Sequence, residues 1–399
     1  MRRPGRRRAS TSCCVPDGLR AALPLAQALV RCPSVTPLDE GAQDVLAGAL
    51  EAAGFSVWRH VWGEAPDGPV HNLFARRDHG GGGRHFAFAG HTDVVPPGER
   101  AQWDVDPFAA EVKDGMLVGR GASDMKSAIA AFVSAAEAVR PDAGSISLVI
   151  TGDEEGPATY GTKLLLKWMA ENGHVPDHCL VGEPTSRGKL GDMVKIGRRG
   201  SVNAWVRVKG AQGHVAYPHM ASNPIPPLTE ILSRLQHRVL DEGNSWFQPS
   251  NLEVTDLHVG NPAHNIIPAM AEARLNIRFN DMHSGAGLVD WMRETAADVS
   301  ENAEVEAIIS GESFLTPPGA FSSLIADAIS AETGAAPELS TSGGTSDARF
   351  IRSFCPVVEC GLVGASMHKV GEHAAVEDIE ALARIYVRIL DGYFADSFA

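Results

Sequence analysis

Apolar residues recur at helical spacing over residues 19–30 and again over 41–53. Each run meets a breaker, Pro33-Ser-Val-Thr-Pro37 after the first and Gly54 after the second. Strand-like runs follow at 55–58 and 72–75, then a Gly80-Gly-Gly-Gly83 turn tip. Residues 86–90 are apolar, short and bounded by glycine, the pattern of a strand buried on both faces. Beyond Asp124, the residues Ile129, Phe132, Val133, Ala136 and Val139 share one helical face, with Ser123 as the expected N-cap. Residues 145–151 read as a strand, 161–170 as a helix and 179–181 as a strand. Strands alternating with helices predict a largely parallel sheet with helices on both faces.

The texture changes after Gly200. Strand 201–208, helix 224–240, strands 252–259 and 271–279, helix 287–299 and strand 305–309 follow in turn. That is the strand-helix-strand-strand-helix-strand order of a ferredoxin-like unit. The α/β pattern resumes with helix 321–333, strand 357–362 and a long amphipathic helix 376–394, so the unit reads as an insertion. The expected fold class is α/β: a mixed, mostly parallel sheet sandwiched by helices, carrying an inserted α+β unit. The expected division is a basic extension at 1–16, a catalytic domain at 17–199 and 314–399, and the inserted domain at 200–313.

At 399 residues the chain is long enough for two cores, and its 44% hydrophobic and 21% charged content is that of a globular protein. The net charge of -14 argues against nucleic acid as a partner, no basic surface being evident outside the N-terminus. No apolar run approaches the roughly 20 residues that a membrane span needs. Cys13, Cys14, Cys32, Cys179, Cys355 and Cys360 are sparse, irregularly spaced and form no CxxC pair. They point to free thiols in a reducing compartment, the cytoplasm, and away from a structural zinc knuckle. The first 12 residues are basic and free of acid. A transit peptide or twin-arginine signal is one reading, but no apolar segment follows, which favours an extension outside the fold.

Ligand-type side chains gather where the strands end. The first buried strand is followed by His91 and Asp93, the next by Asp153, Glu154 and Glu155, and the third by Glu183. A fourth strand, in the last segment, is followed by His368, and a glycine-rich turn delivers Asp124. In open α/β sheets the crevice beyond the carboxyl ends of the strands is where ligands bind. Taken singly, each residue has a plainer reading: a loop histidine, a charge at a helix start, a solvated acidic turn. Their recurrence at equivalent strand ends favours a metal site, and imidazoles with carboxylates suit zinc, or a pair of zincs, better than magnesium. Glu154 and Glu155 are adjacent and so point in different directions. One can bind metal while the other takes a proton from water, the arrangement for hydrolysing an amide or ester.

His91-Thr-Asp93, Gly119-Arg-Gly-Ala-Ser-Asp-Met-Lys126, Thr151-Gly-Asp-Glu-Glu-Gly156 and Gly182-Glu-Pro184 resemble the signature of the M20 metallopeptidase family. Further stretches extend the likeness over about residues 19–394: Lys195-Ile-Gly-Arg-Arg-Gly-Ser201, Gly213-His-Val-Ala-Tyr-Pro-His219, Ser342-Gly-Gly-Thr-Ser-Asp-Ala-Arg-Phe350 and Met367-His-Lys369. Within the family the likeness is to an amide hydrolase of diaminopimelate and lysine biosynthesis whose small-molecule substrate carries three carboxylates.

The resemblance implies a zinc-peptidase-like catalytic domain with two Zn2+ per subunit, Co2+ being able to substitute. His91 and Glu183 would hold one ion, Glu155 and His368 the other, and Asp124 would bridge them through a peptide that is cis in relatives. Asp93 would orient His91, and Glu154 would act as general base and then as acid. The insertion would be a dimerisation or lid domain, so that His214 reaches the partner subunit's site in a homodimer and stabilises the oxyanion. Arg198, Ser201, Tyr217, Arg278, Gly344 and Thr345 would bind substrate. Two positions depart from the family pattern near the expected substrate contacts. Gly364 stands where relatives tend to carry Asn, and His264 where they carry Asn or Thr.

Other readings remain open at this point: a different amide hydrolase of the same family, a cysteine-dependent acylase using Cys355 or Cys360, and a zinc-binding protein without catalysis. The two cysteines lie in an apolar strand with no base placed beside them. A chain that had given up catalysis would be expected to lack Glu154 or a ligand, and all are present.

Overall fold

The structure, a computed structural model, describes residues 19–80 and 82–398. The expected extension at 1–16 lies outside the described residues.

A central sheet of eight strands runs in the order Ser56–Trp62, Val70–Asp78, Ser145–Thr151, His85–His91, His178–Val181, Val357–Glu359, Met193–Lys195, Glu338–Ser340. Four neighbours at its middle are parallel: Ser145–Thr151, His85–His91, His178–Val181 and Val357–Glu359. Their register sets His91 opposite Thr151, and Val181 opposite Glu359, so their carboxyl ends share one edge. The sheet is mixed, as expected, because Ser56–Trp62 and Val70–Asp78 join antiparallel at one side. Met193–Lys195 also joins antiparallel to Val357–Glu359.

The strand that ends in His91 is buried on both faces, for the reason its composition gave. Phe86 and Phe88 face one core with Ile146, Leu148 and Ile150. Ala87 and Ala89 face the other with Phe74 and Val149. The first core is covered by helices Leu23–Val30, Ala42–Ala52, Ser127–Ala138, Ala320–Thr333 and Val376–Phe394. The second is covered by Thr162–Glu171 and Ala348–Ile351. Phe88 stacks on Phe132 with ring centroids 4.3 Å apart. Such a pair adds ~1 kcal/mol to the area it buries. This packing fixes the strand end that carries His91, and truncating Phe88 to alanine would cost about 3–5 kcal/mol.

Residues 200–311 build a separate four-stranded antiparallel sheet in the order Asn251–His258, Met270–Phe279, Gly200–Lys209, Ala303–Gly311. Helices Ile225–His237 and Gly285–Val299 pack on one face, the second capped by Ser284, whose hydroxyl accepts the Gly287 N–H at 3.2 Å. Val202, Ala204, Val206 and Val208 point into that core at alternate positions, as the strand period requires. The chain enters this unit through Gly197–Arg198 and leaves through Phe314–Leu315, and the two segments pair antiparallel. A Cβ on Gly197 would sit 2.3 Å from the Phe314 carbonyl oxygen, so the close pairing requires glycine there.

Two expectations need correction. Ser123 does not cap a helix, because its hydroxyl donates to the Val363 carbonyl at 2.8 Å. The helix proper is Ser127–Ala138, preceded by an irregular turn over Ala122–Lys126 in which Asp124 and Met125 have non-helical backbone angles and their peptide bond is cis. The last sheet strand ends at Glu359, short of residue 362. Strands Met193–Lys195 and Glu338–Ser340 carry no sequence signal, since three residues are too few for a period to show.

Candidate metal centre

The carboxyl edge of the four parallel strands gathers two imidazoles and four carboxylates. His91 Nε2 lies 3.1 Å from Asp124 Oδ1 and 3.7 Å from Glu183 Oε1. His368 Nε2 lies 2.8 Å from Glu155 Oε1 and 3.4 Å from Asp124 Oδ2. The two oxygens of Asp124 therefore face different imidazoles, and each imidazole has a second carboxylate of its own. Ligand atoms of His91, Asp124 and Glu155 fall within 4.8 Å of one another, as do those of His91, Glu154 and Glu183. The first group crosses between the two pairs, as expected if Asp124 sits between them.

Asp93 departs from its expected role in one respect. Its main-chain carbonyl meets His91 Nδ1 at 2.9 Å, while its nearer carboxylate oxygen stands 3.6 Å away. The carboxylate itself accepts the backbone N–H of Glu154 at 3.3 Å and of Glu155 at 3.0 Å. Asp153 lies outside the cluster and holds the following loop, accepting the N–H of Ala158 and Tyr160.

The electrostatics show what this donor set lacks. Burial opposes charge on His91, yet its hydrogen bond to Asp124 and the charges of Asp124, Glu183 and Asp93 hold its pKa well above the ordinary value. Hydrogen bonds to Asp124 and Glu155 push His368 up to about 10. Burial, then the charge of Asp347, pushes Glu154 up to about 8. Burial, followed by the charges of Asp124 and Glu154, raises Glu183 well above its usual range. Each of these shifts favours added positive charge at the site. Asp93, Asp124, Glu154, Glu155 and Glu183 outnumber His91 and His368, so the site is acidic even with both rings charged. Imidazole and carboxylate donors crowded in this way fit divalent ions.

Beside the cluster lies a cavity of about 850 Å³ whose walls include Glu154, Glu155, Thr345, Lys163 and Arg349. The expected substrate residues are placed unequally around it. Thr345 lines the cavity. The Arg198 guanidinium is engaged by Glu359, with Nε 3.0 Å from each carboxylate oxygen, and by the Gly344 carbonyl at 3.0 Å. Ser201 is buried opposite Arg278 in the strand pairing and accepts from Asn276. Arg278 has a buried Nη1 with no partner among the described residues, a donor still available. His214 and Tyr217 sit exposed on the inserted unit, their rings 5.8 Å apart, and neither belongs to the ligand cluster. At Gly364 a Cβ would stand 2.9 Å from the Pro184 carbonyl, so this backbone leaves no room for a side chain. His264 is exposed.

Two buried carboxylates escaped the sequence reading. Glu359, 1% exposed, anchors Arg198 and accepts the Ser346 hydroxyl at 2.6 Å. A glutamate inside the apolar run Val357-Val-Glu-Cys360 was a usable signal, because a buried charge needs a partner. Glu372, fully buried, accepts the N–H groups of Gly121, Ser123 and Asp124, and no local pattern announces it.

Comparison with known proteins agrees with this geometry. A desuccinylase of succinyl-diaminopimelate from Rhizorhabdus wittichii is 61% identical over 368 residues, covering 92% of this chain and 97% of that protein. The one from Caulobacter sp. is 58% identical, covering 93% and 95%. Among solved structures, the M20 family metallo-carboxypeptidase Sso-CP2 of Sulfolobus solfataricus superposes with a TM-score of 0.75 at 15% identity, covering 94% of this chain and 99% of its own. The Bacillus subtilis YXEP protein, a dinuclear metal-binding peptidase of the M20 family, gives 0.68 at 16% identity, covering 92% and 96%. Both show the shared fold. Residues 87–392 match peptidase family M20/M25/M40, and the chain belongs to that family.

Proposed function

We propose that this chain is a metal-dependent amide hydrolase that converts N-succinyl-LL-2,6-diaminopimelate and water to succinate and LL-2,6-diaminopimelate, a step of lysine and diaminopimelate biosynthesis. The observation that carries the hydrolase reading is Asp124 placed between His91 and His368, each imidazole paired with a further carboxylate. The choice of substrate rests on relatives of that name at up to 61% identity over nearly their whole length.

His91 and Glu183 would hold one Zn2+, Glu155 and His368 the second, and Asp124 both. Bound there, the ions would act as Lewis acids and lower the pKa of water towards neutrality. The rest falls to the chain. Glu154, at the cavity wall with its proton affinity raised by burial, accepts a proton from the attacking water. It then passes the proton to the departing amine. Asp93 fixes the turn that aims Glu154. Arg278, Ser201, Thr345 and the Gly344 segment would receive the substrate's carboxylates, with Arg198 held by Glu359 behind them.

The inserted unit would form a homodimer, and exposed His214 and Tyr217 would serve the partner's site. Cytoplasmic location is the reading that suits the unpaired thiols of Cys32, Cys179, Cys355 and Cys360. Burial pushes both Cys355 and Cys360 up to about 12, which keeps them protonated and speaks against a cysteine nucleophile.

The test offers zinc-loaded protein N-succinyl-LL-2,6-diaminopimelate and N-acetylornithine side by side. A kcat/KM at least ~100-fold higher for the succinyl substrate is expected, since a site built for a carboxylate is left unpaired by its absence. Preference for acetylornithine would sink the substrate assignment and leave the hydrolase.

A further inference from the structure

Asp124 and His368 lie 244 positions apart in the sequence, yet the segments that carry them are cross-linked along their length. Strand His373–Ala375, just after His368, pairs antiparallel with Met116–Val118, just before Asp124. The Gly119 N–H donates to the Glu372 carbonyl at 2.9 Å. Beyond that point the side chain of Glu372 takes over. Its Oε1 accepts the N–H groups of Gly121 at 3.1 Å, Ser123 at 3.0 Å and Asp124 at 3.1 Å, and its Oε2 accepts from Arg120 Nη1 at 2.5 Å. The Ser123 hydroxyl adds a link to the Val363 carbonyl on the other side of His368.

We infer that Glu372 is a positioning residue that holds Asp124 and His368 in fixed register, so that the ion shared by Glu155, His368 and Asp124 depends on it. The inference rests on the metal-centre reading above. Three N–H groups aimed at one oxygen form a site for an anion, and hydrogen bonds to a charged acceptor are about twice as strong as neutral ones. Arg120 balances the buried charge, which would otherwise be costly. Glutamine cannot replace it evenly. With its oxygen towards the three N–H groups, its NH2 faces the Arg120 guanidinium, donor against donor. The turn at Asp124 then loosens against the His368 segment, while His91 stays at the end of its strand and Glu183 two residues beyond its own.

The experiment titrates metal-free full chain with Co2+ by calorimetry, comparing wild type, Glu372→Gln and Glu380→Gln. Glu380 is the control, a carboxylate that accepts the N–H groups of Ala22 and Leu23 at a helix start and, among the described residues, has no hydrogen bond to a ligand segment. Wild type and E380Q should take up two ions with unchanged affinities. E372Q should keep one ion within about 3-fold and lose about 10–100-fold for the other, the scale of losing a residue that orients ligands. If E372Q does not fold, Glu372→Asp, which keeps the charge and withdraws the oxygens, should show the same selective loss. A variant that melts earlier without metal yet binds both ions as wild type does would reduce Glu372 to a structural residue and overturn the inference. A wild type that takes up fewer than two ions would overturn the metal-centre reading itself, and the inference with it.

Discussion

Asp93 holds Glu155 by its backbone, one carboxylate oxygen accepting the Glu155 N–H at 3.0 Å while the other accepts the Glu154 N–H at 3.3 Å. The residue expected to orient His91 also clamps the turn that presents both glutamates, and it meets His91 Nδ1 by its carbonyl at 2.9 Å with a carboxylate oxygen at 3.6 Å. Asp93→Asn keeps the carbonyl but turns an NH2 towards one of those N–H groups. Turnover should fall about 10–100-fold with both ions still bound. Metal content by emission spectroscopy beside kcat tests this: loss of an ion with normal turnover per remaining metal would return Asp93 to the role of a histidine orienter.

Glu154 is in the same crowded group as His91 and Glu183, and the mechanism proposed above has it move a proton. Replacing it by glutamine removes that capacity and little else. Glu154→Gln should retain two ions and lose about 10²–10⁴-fold in kcat, the usual share of a general acid–base group. Turnover within about 10-fold of wild type would contradict its role.

The convergence of His91, Asp124, Glu155, Glu183 and His368 was legible because each follows a strand or turn that sequence pattern alone marks. The helix Val376–Phe394 was legible to its last residue, since Ile379, Leu382, Ala383, Tyr386, Val387, Leu390 and Tyr393 repeat at helical spacing and are buried. What lay hidden was what has no period. Glu372 and Glu359 act across more than 150 residues of sequence, on Asp124 and Arg198 respectively. The engagement of Arg198 by Glu359 could be guessed only from a charge inside an apolar strand. Ser123 was misread as a cap because a helix-like sequence follows it, whereas the backbone of Asp124 and Met125 breaks the helix there.

Metal uptake should release protons. With His368 pushed up to about 10 and His91 held well above its ordinary value, the surrounding carboxylates favour the charged form of both rings in the metal-free chain. Both must lose a proton to bind metal. Calorimetry in buffers of different ionisation enthalpy should find at least about two protons released per chain at pH 7, with affinity falling as pH falls. Folding of the metal-free chain runs the other way. The raised His368 pKa contributes stability that is full below its ordinary value of 6.5 and is lost as pH rises through about 10. Release of no protons would contradict the charge state assigned to these rings.

If His214 serves the partner subunit, two inactive variants should rescue each other. In a mixed dimer of E154Q and H214A, one of the two sites joins an intact Glu154 to an intact His214. Random mixing should then restore about a quarter of wild-type activity. No recovery after subunit exchange, verified by tagged chains, would place His214 outside the partner's site.

The most direct measurement strips the chain of metal with a chelator and follows succinate release from N-succinyl-LL-2,6-diaminopimelate as Zn2+ is returned. Release should be absent without metal and reach its full rate as the second ion per chain is bound. Full activity in the stripped protein, or activity abolished by a thiol reagent and indifferent to the chelator, would contradict the account built on Asp124.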